Sequence, residues 1–130
     1  MTRIRRIILV DDNESDNLFH SIIIKRAGFD GELLEFENGV KALRFLESAD
    51  LDIPTLIFLD INMPLLDGFQ VAEQATPLLA GTLTVIIVML TSSGNPADRK
   101  RAADLQVING FITKPLTEDT VKELLAAQPD

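Results

Sequence analysis

The sequence predicts an α/β fold: a parallel five-stranded sheet covered by helices on both faces. Three observations carry this. Five short, largely apolar runs are spread along the 130 residues. Segments with helical periodicity and capping signals separate them. The runs do not alternate apolar with polar, which is the pattern of strands buried on both faces. Right-handed crossovers then gather every strand-to-helix loop along one edge of the sheet.

The first strand is Ile7 to Val10, a continuous β-branched and aliphatic run. Asn13 or Ser15 can cap the helix that follows, in which Leu18, Phe19, Ile22, Ile23 and Ala27 recur at helical spacing before Gly28 stops it. Leu33 to Phe36 is the second strand, and after Asn38-Gly39 the residues Val40, Leu43 and Leu46 mark the apolar face of the second helix. A loop around Asp52-Ile53-Pro54 leads to the third strand, Leu56 to Leu59. Met63-Pro64 and Asp67-Gly68 turn the chain into a helix bearing Val71, Ala72 and Ala75. Pro77 interrupts or kinks that helix, because proline lacks the amide donor and clashes with the preceding turn.

Val85 to Leu90 is the fourth strand. Asn95-Pro96 supplies a cap with proline at the first helical position, Asp98 adds a negative charge where the helix dipole favours one, and the helix runs to about Leu105. Gly110 to Thr113 is the last strand; Thr117 caps a final helix with Val121, Leu124 and Leu125 on its buried side. No repeat, linker or low-complexity segment breaks this pattern, so residues 1–130 read as one domain, with any output coming from its own surface.

Twenty acidic residues against twelve basic ones give a formal net charge of −8, which lacks the basic footprint of a nucleic-acid binder and points to protein partners. Arg3, Arg5 and Arg6 read as a solvated flank of the first strand and are assigned no function. With no cysteine, disulfides, thiolate metal sites and cysteine nucleophiles are excluded. No stretch approaches the roughly 20 apolar residues of a membrane span, and the apolar run behind the N-terminal arginines is too short for a signal peptide, so a soluble, cytoplasmic protein is expected.

Four of the strands end on residues that can handle a phosphoryl group: Asp11 and Asp12, Asp60, Thr91, and Lys114. On one sheet edge, three carboxylates, a hydroxyl and an ammonium converge in one crevice. Carboxylates so placed repel one another, and a hard divalent cation relieves the repulsion by accepting oxygen ligands; Mg²⁺ fits best. Asp60 can then accept a phosphoryl group as an acyl phosphate, with the charge on the transferred group met by the cation, Lys114 and Thr91. Any one of these residues alone reads as a cap, turn or surface residue; their joint occurrence at four strand ends does not.

The stretches Leu9-Val10-Asp11-Asp12-Asn13, Phe58-Leu59-Asp60-Ile61-Asn62-Met63-Pro64, Asp67-Gly68, Leu90-Thr91-Ser92 and Gly110-Phe111-Ile112-Thr113-Lys114-Pro115 resemble the receiver domain of response regulators, the phosphoacceptor half of two-component signalling. The likeness runs from Ile7 to about Leu125 and is closest to single-domain, chemotaxis-type members. It implies a flavodoxin-like (βα)5 doubly wound sheet of order 2-1-3-4-5. It implies that Asp60 is phosphorylated by a sensor histidine kinase or histidine phosphotransfer protein. Asp12 binds Mg²⁺ directly, Asp11 acts largely through water, and the Asn62 backbone carbonyl is a further ligand.

The resemblance further implies that Thr91 and Lys114 hold the phosphoryl oxygens and that a cis peptide joins Lys114 to Pro115. Thr91 shifts toward the phosphoryl group, and Phe111, at the family's aromatic switch position, either rotates inward or is plain core. Output then passes through the face of the fourth helix, fifth strand and fifth helix to an unknown downstream protein, or by onward relay of the phosphoryl group; a phosphorylation-dependent homodimer is a further outcome. Ser92 leaves the phosphoryl path open, and Asn62 and Ser93 stand where members of the family tune hydrolysis. Neither is acidic, which implies slow autodephosphorylation and a phosphorylated state that is not exceptionally short-lived.

Leu105 to Gly110 departs from the family in lacking the glycine often found after the fourth helix, so the loop there is expected to close differently. His20, the lone histidine, reads as a surface or boundary residue on the first helix. Two other classes are weighed. A haloacid-dehalogenase-type phosphatase also uses an aspartate nucleophile, Mg²⁺, threonine and lysine, but needs an acid two residues after the nucleophile, where this chain has Asn62. An unphosphorylated pseudo-receiver would have lost part of the acidic triad, the threonine or the lysine, all of which are present.

Overall fold

The computed structural model describes residues 3–92 and 94–126; Ser93 lies outside them. Strands and helices alternate: β1 (Arg6–Val10), α1 (Glu14–Arg26), β2 (Glu32–Phe36), α2 (Gly39–Ser48), β3 (Thr55–Leu59), α3 (Gly68–Ala75), β4 (Val85–Thr91), α4 (Pro96–Asp104), β5 (Ile108–Thr113) and α5 (Glu118–Ala126). All pairings are parallel and the order is β2-β1-β3-β4-β5, the flavodoxin-like arrangement expected from the sequence.

Period-two alternation of the buried strands splits the core into two layers. Ile8, Val10, Ile57, Leu59, Ile87 and Met89 pack with Ala42, Leu46, Phe69 and Ala72 of α2 and α3. Ile7, Leu9, Leu56, Phe58, Val88 and Leu90 pack with Ile24 of α1 and Val121 of α5. Each fully buried Ile, Leu or Phe contributes about 1.5–3 kcal/mol, so the three central strands hold both layers together.

The caps fix where helices begin. Of the two residues that could open α1, Asn13 is the one used: its side chain accepts the Asp16 amide. Asn38 opens α2, and Asp67 forms a capping box with Gln70 at α3. Asn95 caps α4 ahead of Pro96, and the Thr117 hydroxyl accepts the Thr120 amide at α5. Gly28, at φ +98°, turns the chain after α1, a conformation that costs a side-chain-bearing residue about 1 kcal/mol. Pro77 follows Thr76, the cap of α3, and so ends the helix and does not kink it.

Near the last strand the missing glycine has a structural counterpart. The β4–β5 register jumps from Ile87↔Ile108 to Val88↔Gly110, leaving Asn109 as an extra residue, and its side chain accepts the Ile87 amide at 3.0 Å. A β-bulge closed by an asparagine side chain thus takes up the slack, and β5 starts two residues earlier than expected.

Two sequence expectations are corrected. Three of the five apolar residues expected on the buried side of α1 face away from the sheet: Leu18, Phe19 and Ile22 are 59%, 46% and 46% exposed, while Ile23 and Ala27 pack at the edge of the core and Asn17, His20, Ser21 and Ile24 are buried. Polar anchoring turns the helix. Asn17 Nδ2 donates to the Asp11 carbonyl at 3.0 Å and the Ser21 hydroxyl to Glu35 Oε2 at 2.9 Å.

The second correction concerns Arg6, which is not a solvated flank. It is a buried β1 residue whose guanidinium donates to Glu32 Oε1 at 2.9 Å, to the Asp50 carbonyl at 3.2 Å and to Thr55 Oγ1 at 3.3 Å, and lies 5.2 Å from the Phe45 ring centre. Truncating it strands the Asp50 carbonyl and opens a cavity against Phe45. Arg6→Ala is expected to cost about 2–4 kcal/mol, measured as a lower urea midpoint by circular dichroism, because the chain has no Trp or Tyr for fluorescence.

Candidate functional site

The strand ends meet as the topology demands. Val10 and Leu59 are register partners across β1 and β3, so the next residues, Asp11 and Asp60, leave the sheet side by side. The Asp60 amide donates to the Val10 carbonyl at 3.0 Å and the Asp11 amide to the Phe36 carbonyl at 3.1 Å, which carries the ladder one step beyond the strands. Thr91 and Thr113 are partners across β4 and β5, and the Lys114 amide donates to the Thr91 carbonyl at 2.7 Å. Lys114 and Pro115 are joined by a cis peptide.

Asp11, Asp12 and Asp60 each present a carboxylate oxygen within 4.8 Å of the others. Asp11 and Asp60 are buried and Asp12 is exposed. Asp11 Oδ1 accepts the Asn13 amide at 3.0 Å, and Asp60 Oδ1 accepts the Ile61 amide at 3.0 Å. An all-oxygen donor set with one solvent-facing member fits a hard divalent cation that keeps part of its water. The Lys114 ammonium is the counter-charge: 2.7 Å from Asp11 Oδ2, 2.8 Å from Asp16 Oδ2 and 3.7 Å from Asp60 Oδ1.

Burial pushes the Asp60 carboxyl up to about 6, and the negative charge of Asp11 adds to the rise; Lys114 and the Ile61 amide oppose it. For Lys114, burial favours loss of the proton, but the hydrogen bonds to Asp11 and Asp16 outweigh it and hold the ammonium above its ordinary value.

Gly68, the first residue of α3, lies against the backbone of the acidic loop. A Cβ there would meet the Asp60 carbonyl oxygen and sit 2.8 Å from Met89 Cε, and the Gly68 amide donates to the Ile61 carbonyl at 2.8 Å. Only a glycine lets α3 start this close to Asp60.

The remaining expected positions fall around the crevice. Thr91 is fully buried at the end of β4, and Asn62 and Ser92 are exposed at its rim. Phe111 is half-buried on β5, packed on the α3 and α4 side of the core, with the Arg99 guanidinium 4.7 Å from its ring centre.

His20 is corrected from a surface residue to a buried one. It packs beside Asp11, Asn17, Phe58 and Asp60, edge-on to Phe19 at 5.5 Å. Burial lowers its pKa, and the Lys114 charge lowers it further. Asp16, Asn17 and His20 were not recognised as neighbours of the site. The signal was available: Asn17, His20, Ser21 and Ile24 recur at i, i+3, i+4 and i+7, but the apolar stripe beside them was the stronger pattern.

Comparison with known proteins gives a consistent answer. The model of the response regulator receiver domain matches residues 7–126. The chain is 31% identical over 123 residues to the chemotaxis protein CheY of Halobacterium salinarum, covering 94% of each chain. It is also 31% identical over 125 residues to an autoinducer sensor kinase/phosphatase, CqsS, of Vibrio cholerae, but spans only 17% of that protein. The crystal structure of the Mn²⁺-bound form of response regulator Rcp1 superposes with a TM-score of 0.70 at 30% identity, over 94% of this chain and 90% of that one.

The raised Asp60 carboxyl makes a pH prediction. In the folded state it holds its proton up to about pH 6, against 3.8 as the ordinary value, so its contribution to stability is present below 3.8 and is lost as pH rises through this window. Asp60→Asn in EDTA is expected to gain about 1–2 kcal/mol at pH 7.5 and nothing at pH 3.5, read as a melting shift that disappears on acidification.

Proposed function

Because the chain belongs to the response regulator receiver family, whose members are signalling domains and not classical enzymes, we propose that it accepts a phosphoryl group on Asp60 and transmits the change by protein contact. The observation that supports this best is the convergence of Asp11, Asp12 and Asp60 oxygens within 4.8 Å beside a single ammonium. A carboxylate oxygen of Asp60 attacks phosphorus, the bond to the donor's leaving atom breaks, and an acyl phosphate results. A sensor histidine kinase or a histidine phosphotransfer protein is the donor.

Asp11, Asp12 and Asp60, with the Asn62 backbone carbonyl, would hold Mg²⁺, which supplies charge neutralisation for the phosphoryl oxygens. Lys114 meets a second oxygen with its charge from its seat beside Asp11, and the Thr91 hydroxyl, at the end of β4, donates a hydrogen bond to a third. Catalysis in such a transfer is mainly positioning and electrostatics, which a rigid sheet edge provides. Asn62 offers neither a general acid nor a base, so the arrangement favours a held phosphoryl group over a hydrolytic cycle of the dehalogenase type.

The output reading follows from where these groups sit. Lys114 ends β5 and Thr91 ends β4, so drawing both toward a phosphoryl group pulls on the surface made by α4, β5 and α5. Phe111 on that surface is half-buried, with the Arg99 guanidinium over its ring.

Incubation with acetyl phosphate and Mg²⁺, followed by intact-mass measurement, tests the reading. The expected result is one added phosphoryl group on wild type and none on Asp60→Asn; addition to the Asn variant would refute Asp60 as acceptor. The added group is expected to persist with a half-life of minutes or more after the donor is removed, and decay within seconds would contradict the assignment of Asn62 as non-hydrolytic.

A further inference from the structure

The Lys114 ammonium has a partner that the phosphoryl reaction does not require. Asp16, in the first turn of α1, holds it at 2.8 Å, closer than Asp60 at 3.7 Å and as tightly as Asp11 at 2.7 Å. We propose that Asp16 is a positioning residue: it tethers the Lys114 ammonium to the α1 side of the crevice and so keeps Asp60 open to a divalent cation and to phosphorus. The proposal rests on the reading of Asp60 as acceptor and extends it to a carboxylate outside the acidic triad.

Both ends of the tether are fixed. The Asp16 backbone is held by the hydrogen bond its amide donates to Asn13 Oδ1 at 3.1 Å, and a negative charge there is favoured by the helix dipole. The Lys114 backbone is held by the hydrogen bond its amide donates to the Thr91 carbonyl. The ammonium is therefore placed by the carboxylates around it. His20, buried beneath, adds no competing negative charge. Without Asp16 the ammonium's remaining partners among the described residues are Asp11 and Asp60, the two buried members of the oxygen cluster. There it would compete with a cation for the same lone pairs.

The consequence is specific. Losing the Asp16 charge weakens cation binding by releasing Lys114 into the crevice, and this loss requires Lys114. Mg²⁺ affinity of the unphosphorylated full chain is measured by titration calorimetry for wild type, Asp16→Asn, Lys114→Ala and the double variant. Asp16→Asn is expected to weaken binding about fivefold when Lys114 is present and less than about twofold in the Lys114→Ala background. Equal fold-changes in the two backgrounds would show that Asp16 acts only through its own field and would overturn the tether.

Lys114→Ala leaves Asp11 buried without its cation, so a second readout covers the case in which it does not fold. The ¹⁵N resonance of the Lys114 ammonium is expected to shift on Asp16→Asn and to return on Asp16→Glu; an unmoved resonance would also overturn the proposal. Neither measurement uses a phosphodonor. Failure of Asp60 to take up a phosphoryl group would refute the acceptor reading and leave these results standing.

Discussion

Confining negative charge at the carboxyl end of the sheet is the constraint from which the rest of this molecule follows. Three carboxylates within 4.8 Å repel by several kcal/mol even in a well-screened environment, and two of them are buried. The fold supplies only partial relief: backbone amides of Asn13 and Ile61, and one ammonium shared among Asp11, Asp16 and Asp60. What remains unneutralised is negative charge, which favours a hard divalent cation.

Topology places that charge. Strand order 2-1-3 makes β1 and β3 neighbours, and their register sets Asp11 beside Asp60 without help from any loop. Order 3-4-5 does the same for Thr91 and Lys114. The close start of α3 at Gly68 packs against the Asp60 backbone from the other side. Three elements therefore hold Asp60 in one place, which fixes its carboxylate relative to Asp11 and Lys114.

The orientation of α1 shows polar contacts overriding apolar periodicity. Turning Leu18, Phe19 and Ile22 outward forgoes several kcal/mol of burial. In return Asn17 and Ser21 bond to Asp11 and Glu35, Asp16 reaches Lys114, and Ile24 still fills the core at the far end of the helix. A helix turned the other way would leave the Asp11 carbonyl and the Lys114 ammonium short of partners, and unsatisfied groups at that depth cost as much as the apolar burial would return.

The alternation of elements, the strand-end positions of Asp11, Asp12, Asp60, Thr91 and Lys114, and the caps at Asn95 and Thr117 were legible in the chain itself, because each depends on neighbours a few residues away. So was the irregularity before β5, though only as a gap in a pattern. The bulge at Asn109 that fills it needs the Ile87 amide, twenty-two residues distant. Arg6 likewise looked like a solvent-facing charge until strand pairing brought Glu32, Asp50 and Thr55 around it. The inward turn of His20 and the Asp16–Lys114 pair were decided by tertiary structure alone: local periodicity records which faces of a helix could be buried, whereas the choice between them belongs to polar groups 98 residues apart that meet only when the sheet has closed.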